Sequence, residues 1–219
     1  FTGKVTFDTD TGSAVTIADT TSLELETLSA ASLNVTSGGA VTDGGTLAIT
    51  GATSISASGQ NITLDDAAST FGSLALTGAD VAVIEADATE LGTSAVSGTL
   101  TITTSGEVTD SGALTVGGAT TVSASGQNIT LDEASTFGSL ALTGANVAVT
   151  EADATQLGAS SISGTLSITS SGEVTDGGTL AVAGTTTISA SGQNITLDDA
   201  SSTFGSLSLT GADVAVTEN

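Results

Sequence analysis

Apolar residues along this chain come in pairs separated by one small or hydroxylated residue. Leu100/Ile102, Leu114/Val116, Ile129/Leu131, Leu140/Leu142 and Val147/Val149 all follow this pattern, with Thr, Ser or Ala between the partners. A period of two over a few residues, rich in β-branched side chains and punctuated by Gly, Asn and Asp, predicts short half-buried strands. No segment carries sustained helical spacing. Strand signals recur roughly every 7 to 11 residues, in the manner of all-β folds.

The pattern of strands is itself repeated. SASGQNITLDDAASTFGSLALTGADVAV begins at Ser56, returns with small changes from Ser123, and returns again from Ser189. Gln60, Gln127 and Gln193 mark the interval, as do Phe71, Phe137 and Phe204. That interval is about 66 residues, within one residue from copy to copy. The one-residue difference falls between Leu131 and Phe137, which marks that stretch as a loop. SLNVTSGGAVTDGGTLAITGATSI (from Ser32) likewise matches segments beginning at Thr99 and Thr165. The repeats run approximately 1–31 (partial), 32–98, 99–164 and 165–219 (partial) within one continuous unit, 1–219. Partial copies at both ends, with no polar capping sequence of the kind solenoids need, predict a piece of a longer array. The opening Phe-Thr-Gly-Lys carries no signal-peptide pattern.

Continuous short strands without linkers predict an all-β, right-handed parallel β-helix, or β-solenoid. Three strands per turn give about 22 residues per coil and three coils per 66–67-residue repeat. A string of β-sandwich domains is the competing architecture, but it ordinarily has a Trp or Tyr core and linkers. The recurring Asp43, Asp110 and Asp176 of VTD, and Asp65, Asp132 and Asp198 of TLD, suit a long unit. Three coils would separate equivalent carboxylates by about 14 Å, beyond the reach of unscreened repulsion.

Composition narrows the chemistry. Hydrophobic residues make up 38% of the chain but include five Phe and no Trp or Tyr, which suits thin layered cores. With 28 Gly and no Pro, the turns fall to Gly, Asn, Asp and Ser. One Lys/Arg against 24 acidic residues gives a formal net charge of −23, so nucleic acid and anionic membranes are poor partners. No stretch approaches the roughly 20 apolar residues of a membrane helix, and no insertion into a membrane is expected. Without Cys there is no disulfide or thiolate site.

Catalysis is poorly supplied, since His, Arg, Cys and Tyr are all absent. The pairs Asp65-Asp66, Asp132-Glu133 and Asp198-Asp199 are adjacent, and neighbours in a strand point to opposite faces, so they do not form a glycosidase pair. They are the candidate Ca²⁺ ligands, the one cofactor considered, although the glycine-rich Ca²⁺-binding nonapeptide is missing. Asn61, Asn128 and Asn194, with Asn34, match the glycosylation sequon. At a Gly-Gln-Asn turn, Asn also tolerates left-handed backbone, so a structural role is the plainer expectation. Phe71, Phe137 and Phe204 are expected to plug the core at one corner per repeat. Thr-x-Thr segments such as Thr101-Ile-Thr103 evoke ice-binding helices. A flat ice face needs that pair on every coil, which a three-coil unit does not supply.

GEVTDSGALTVGGATTVSASGQNITLD followed by FGSLALTGANVAVTEADATQLG resembles repeats of filamentous-haemagglutinin-like adhesins, giant β-helical exoproteins of bacterial surfaces. The resemblance covers almost the whole chain. It implies an extracellular, cell-surface location, an outer-membrane secretion partner, and a non-enzymatic role as a stalk or filament segment in adhesion. Self-association, end to end or lateral, is expected. The alternative is a self-assembling S-layer, sheath or matrix protein with cations bridging acidic faces; carbohydrate or ice binding is a further one.

Overall fold

The computed structural model describes residues 4–5 and 12–219. These form 25 strands in one sheet, with every ladder parallel and no helix among the described residues. The chain is therefore a β-solenoid of about ten turns, as the period-two pattern predicts. Burial follows the alternation. Ala14–Asp19 reads exposed-buried three times over, and Leu100–Thr104 has Leu100, Ile102 and Thr104 buried with Thr101 and Thr103 outside. Alternate side chains of a strand point to opposite faces, so a stack of such strands fills a narrow core and presents hydroxyls to water.

Ladder registers give the length of each coil. Ile62 lies under Val81, Val81 under Leu100, and Leu100 under Thr120. In residue number, those steps are 19, 19 and 20. The full range runs from 16, between Ser135 and Glu151, to 22, between Ala48 and Thr70. The 22-residue coil expected from the sequence is thus the longest of the set, where the Ser58–Asn61 turn and the Asp65–Ala68 loop both add residues. Shorter coils have tighter corners.

Shorter coils change the winding. Three coils from Ile62 end at Thr120, and Ile129, the copy of Ile62, lies nine residues further on. Ile129 stacks on Val108 and beneath Val147, in a different file. Each repeat thus makes three coils and then one more face. With coils about 4.8 Å apart, it rises by about 16 Å. Equivalent carboxylates lie on different faces and are separated by more than the expected three-coil spacing.

One wide face per repeat follows from this winding. Residues 14–18, 32–36, 53–56 and 74–77 stack as four coils of one face. The chain then turns one corner at Ala79 and Asp80. The next wide face is built from 81–85, 100–104, 120–123 and 140–143, and the third from 147–151, 166–170, 186–189 and 207–210.

The corner made by SASGQN differs from expectation. The left-handed residue is glycine: Gly59, Gly126 and Gly192 have φ of 70°, 76° and 78°, and no other described residue has positive φ. The backbone demand falls two residues before Asn, at the position where a missing Cβ removes the strain.

Candidate functional site

The candidate Ca²⁺ ligands follow the Ile-Thr-Leu strand and are held by the coil below. They lie on a loop in the first and third copies. In the middle copy, one residue shorter, the stretch expected as a loop runs straight through as the strand Ile129–Gly144. Asp43 accepts the backbone N–H of Asp65 at 2.8 Å through Oδ1 and that of Asp66 at 3.3 Å through Oδ2. Asp176 does the same for Asp198 (2.9 Å) and Asp199 (3.2 Å). In the middle copy, one residue shorter here, Asp110 Oδ1 accepts both Asp132 N–H at 2.9 Å and Glu133 N–H at 3.4 Å. Asp66 and Asp199 turn back on their own loops, accepting from Ala68 N–H and Ser201 N–H. Burial pushes the Asp110 carboxyl up to about 6, against the two backbone N–H bonds, and raises Asp43 as well. No group of three or more acidic side chains gathers to hold a metal among the described residues. The structure brings the backbone of Asp65, Asp132 and Asp198 against the VTD aspartates, whose carboxylates are the fasteners.

Asn61, Asn128 and Asn194 stand exposed at another corner and head a ladder of side chains. Asn61 Oδ1 accepts Asp80 N–H at 3.2 Å, and Asp80 Oδ1 accepts both Thr99 N–H and Thr99 Oγ1–H. The Thr99 donors hold the Asp80 carboxyl below its usual range. Asn128, Asn146 and Thr165 repeat this arrangement, and Asn194 accepts Asp213 N–H. Each coil thus satisfies the turn of the next.

Phe71 and Phe137 are each 4% exposed, seated over Ile49 and Val116, and Phe204 is half-buried over Val182. Directly beyond them lies a feature that the sequence reading does not single out. Glu85 and Glu151 are only 2% and 1% exposed. Glu85 Oε1 accepts Phe71 N–H at 2.7 Å and Oε2 accepts Thr89 Oγ1–H at 2.7 Å; Glu151 Oε1 accepts Phe137 N–H at 3.1 Å. Burial pushes both carboxyls up to about 7 against these bonds, with Asp87 and Asp153 adding like charge. Buried Ser69, Ser135 and Ser202 serve the same corners, accepting the N–H of Leu47, Leu114 and Leu180 at 2.8 to 2.9 Å.

The wide faces are free of charge on the outside. On the second, Ala82/Ile84, Thr101/Thr103, Thr121/Ser123 and Ala141/Thr143 lie in register on four successive coils. On the third, Ala148/Thr150, Ser167/Thr169, Thr187/Ser189 and Ser208/Thr210 do so. Hydroxyl pairs therefore do recur on neighbouring coils, on two successive coils of the second face and three of the third. Grooves elsewhere are shallow; one of about 290 Å³ is lined by Thr77, Gly78, Ala95 and Val96 among small neighbours.

A parallel stack in which recurring Asp, Asn and Glu side chains fasten its own corners defines a β-solenoid repeat protein. The chain belongs to the family of repeats of unknown function DUF5649, which matches residues 12–77, 78–143 and 144–216. Each matched copy but the last closes at the end of a wide face, so the repeat and the winding share one frame. No curated protein and no solved structure matches the chain.

Proposed function

We propose that this chain is a structural rod, a stalk or filament segment of an extracellular bacterial surface adhesin that holds other parts at a distance. The observation that carries this reading is the uninterrupted parallel ladder from Ala14 to Val216. At its corners, Asp, Asn, Ser and Glu side chains bond one coil to the next. Such a ladder converts sequence length into reach at about 16 Å per repeat. The resemblance to filamentous-haemagglutinin-like repeats supports export across an outer membrane by a secretion partner, and a surface location. No catalytic role is assigned: the buried carboxyls bind donors of the chain itself, Phe71 N–H and Thr89 Oγ1–H at Glu85 and Phe137 N–H at Glu151.

Rods of net charge −23 repel one another, and the uncharged wide faces are where two copies approach at least cost. Lateral association therefore uses these faces. The second reading, a sheath or matrix bridged by cations, draws on the exposed carboxylates of Asp65, Asp132 and Asp198. X-ray scattering with and without EDTA separates the two. The stalk reading expects a rod of about 50 Å whose length and association ignore chelator. Assembly that forms with Ca²⁺ and dissolves in EDTA would favour the matrix, and measurable affinity for glycans or for ice would overturn both.

A further inference from the structure

Phe71 and Phe137 sit at the last strand of a narrow face, just before the winding shifts to a new wide face. The coil above offers Phe71 no backbone carbonyl in register, and the Glu85 side chain reaches across to accept its N–H instead. Glu151 does the same for Phe137. These glutamates end the first strand of each new wide face, Val81–Glu85 and Val147–Glu151, so one side chain joins the outgoing face to the incoming one. Their copies of position are Asp19 and Glu218.

We propose that Glu85 and Glu151 are proton-loaded clamps at these junctions, closing the rod when protonated and loosening it locally when ionised.

The surroundings supply no cation. From its own turn, Asp87 faces Glu85. From the coil below, the neighbouring acids are Asp65 and Asp66, and Asp66 is held by Ala68 N–H. From its own coil the following Glu90 is exposed, and from the coil above Glu85 is paired with Thr104 while Glu107 is exposed. Around Glu151 the corresponding groups are Asp153, the exposed Asp132 and Glu133, Ser170 and the exposed Glu173. Ionisation thus places a buried negative charge beside another carboxylate with only neutral donors to compensate, which burial penalises. The protonated form keeps an oxygen for the Phe N–H and gives the other a proton to donate to Asp87 or Asp153. A groove of about 310 Å³ along Ala67, Ile84 and Thr103 gives water a route to the Glu85 corner.

Burial pushes the folded carboxyls from the ordinary 4.5 up to about 7. Between those values the folded chain binds more protons than the unfolded one. The stabilisation is therefore complete below about pH 4.5 and is lost as pH rises through 7.

Hydrogen exchange of the whole chain, read as protection factors so that intrinsic base catalysis is removed, tests the clamp. Peptides containing Phe71 and Phe137 should lose at least about tenfold in protection between pH 5 and pH 8.5, while peptides within the wide faces change less. The double variant Glu85→Gln, Glu151→Gln keeps the shape of the protonated acid and should hold its protection at both values. Equal wild-type protection at both pH values, or an undiminished loss in the Gln variant, overturns the proposal. Should that variant fail to fold, carboxyl ¹³C shifts of the wild-type chain decide: two glutamates titrating near 7 support the clamp, and all glutamates titrating near 4.5 overturn it.

Discussion

Along the wide face that begins at Val81, four strands largely repeat one design: Leu, Val or Ile inside, and small or hydroxylated residues outside except Ile84. Backbone ladders join the four levels, with Leu142 N–H of the last strand going to Ser160 Oγ. At the corner where that face takes over from the previous one, the design reverses. There Phe71 N–H goes to a glutamate and Leu47 N–H goes to Ser69 Oγ, with the side chains that complete the bonding buried. A regular face needs only register and apolar parity, because each strand satisfies the next. A corner that changes face breaks register, and each freed N–H must find a side chain or carry the cost of burial without a partner. The polar residues of the interior therefore gather where the geometry is irregular.

One polar group breaks this division. Thr53, Thr120 and Thr186 lie inside regular faces, no more than 1% exposed, with hydroxyls that have no partner among the described residues.

The difference between corner and face can be probed from both sides. Phe137→Ala removes the largest side chain at a corner and leaves a cavity beneath Glu151. It should cost about 3–5 kcal/mol in urea or thermal unfolding. A loss under about 1 kcal/mol would mean that the corner is not packed as described. Thr120→Val acts on the face, exchanging an unpartnered hydroxyl for a methyl of nearly the same size. It should stabilise by roughly 0.5–2 kcal/mol. If calorimetry finds it destabilising, Thr120 has a bond partner that the wide-face description omits.

Much of this organisation is legible in the sequence, and the parts that are not share a cause. Period-two alternation and the return of GQNITLD once per repeat lead directly to a parallel solenoid. Coil length is less accessible, because loops such as 65–68 and turns such as 58–61 add residues that belong to no face. Dividing the repeat into three equal coils conceals the extra face. The VTD and TLD aspartates are visible as a recurring pair, but nothing in their spacing says that one fastens the backbone of the other. Glu85 is legible in principle: Val81, Val83 and Glu85 share one parity, as do Val147, Val149 and Glu151, so the alternation itself points both glutamates inward. The acidic EAD motif, read for composition, draws attention to solvent instead. At the GQN corner the demand for left-handed backbone is apparent, and it is met by the residue type best suited to it, the Gly two residues before the Asn.

The winding of three coils and one further face is the central claim, and a pair of spin labels tests it most directly. Thr101 and Ser167 are equivalent, outward-facing residues of successive repeats, each on a wide face. Labels replacing them should lie more than about 20 Å apart, since they combine a rise of about 16 Å with a change of face. A single distance of about 14 Å, the rise of three whole coils, would place both on one face and contradict the account.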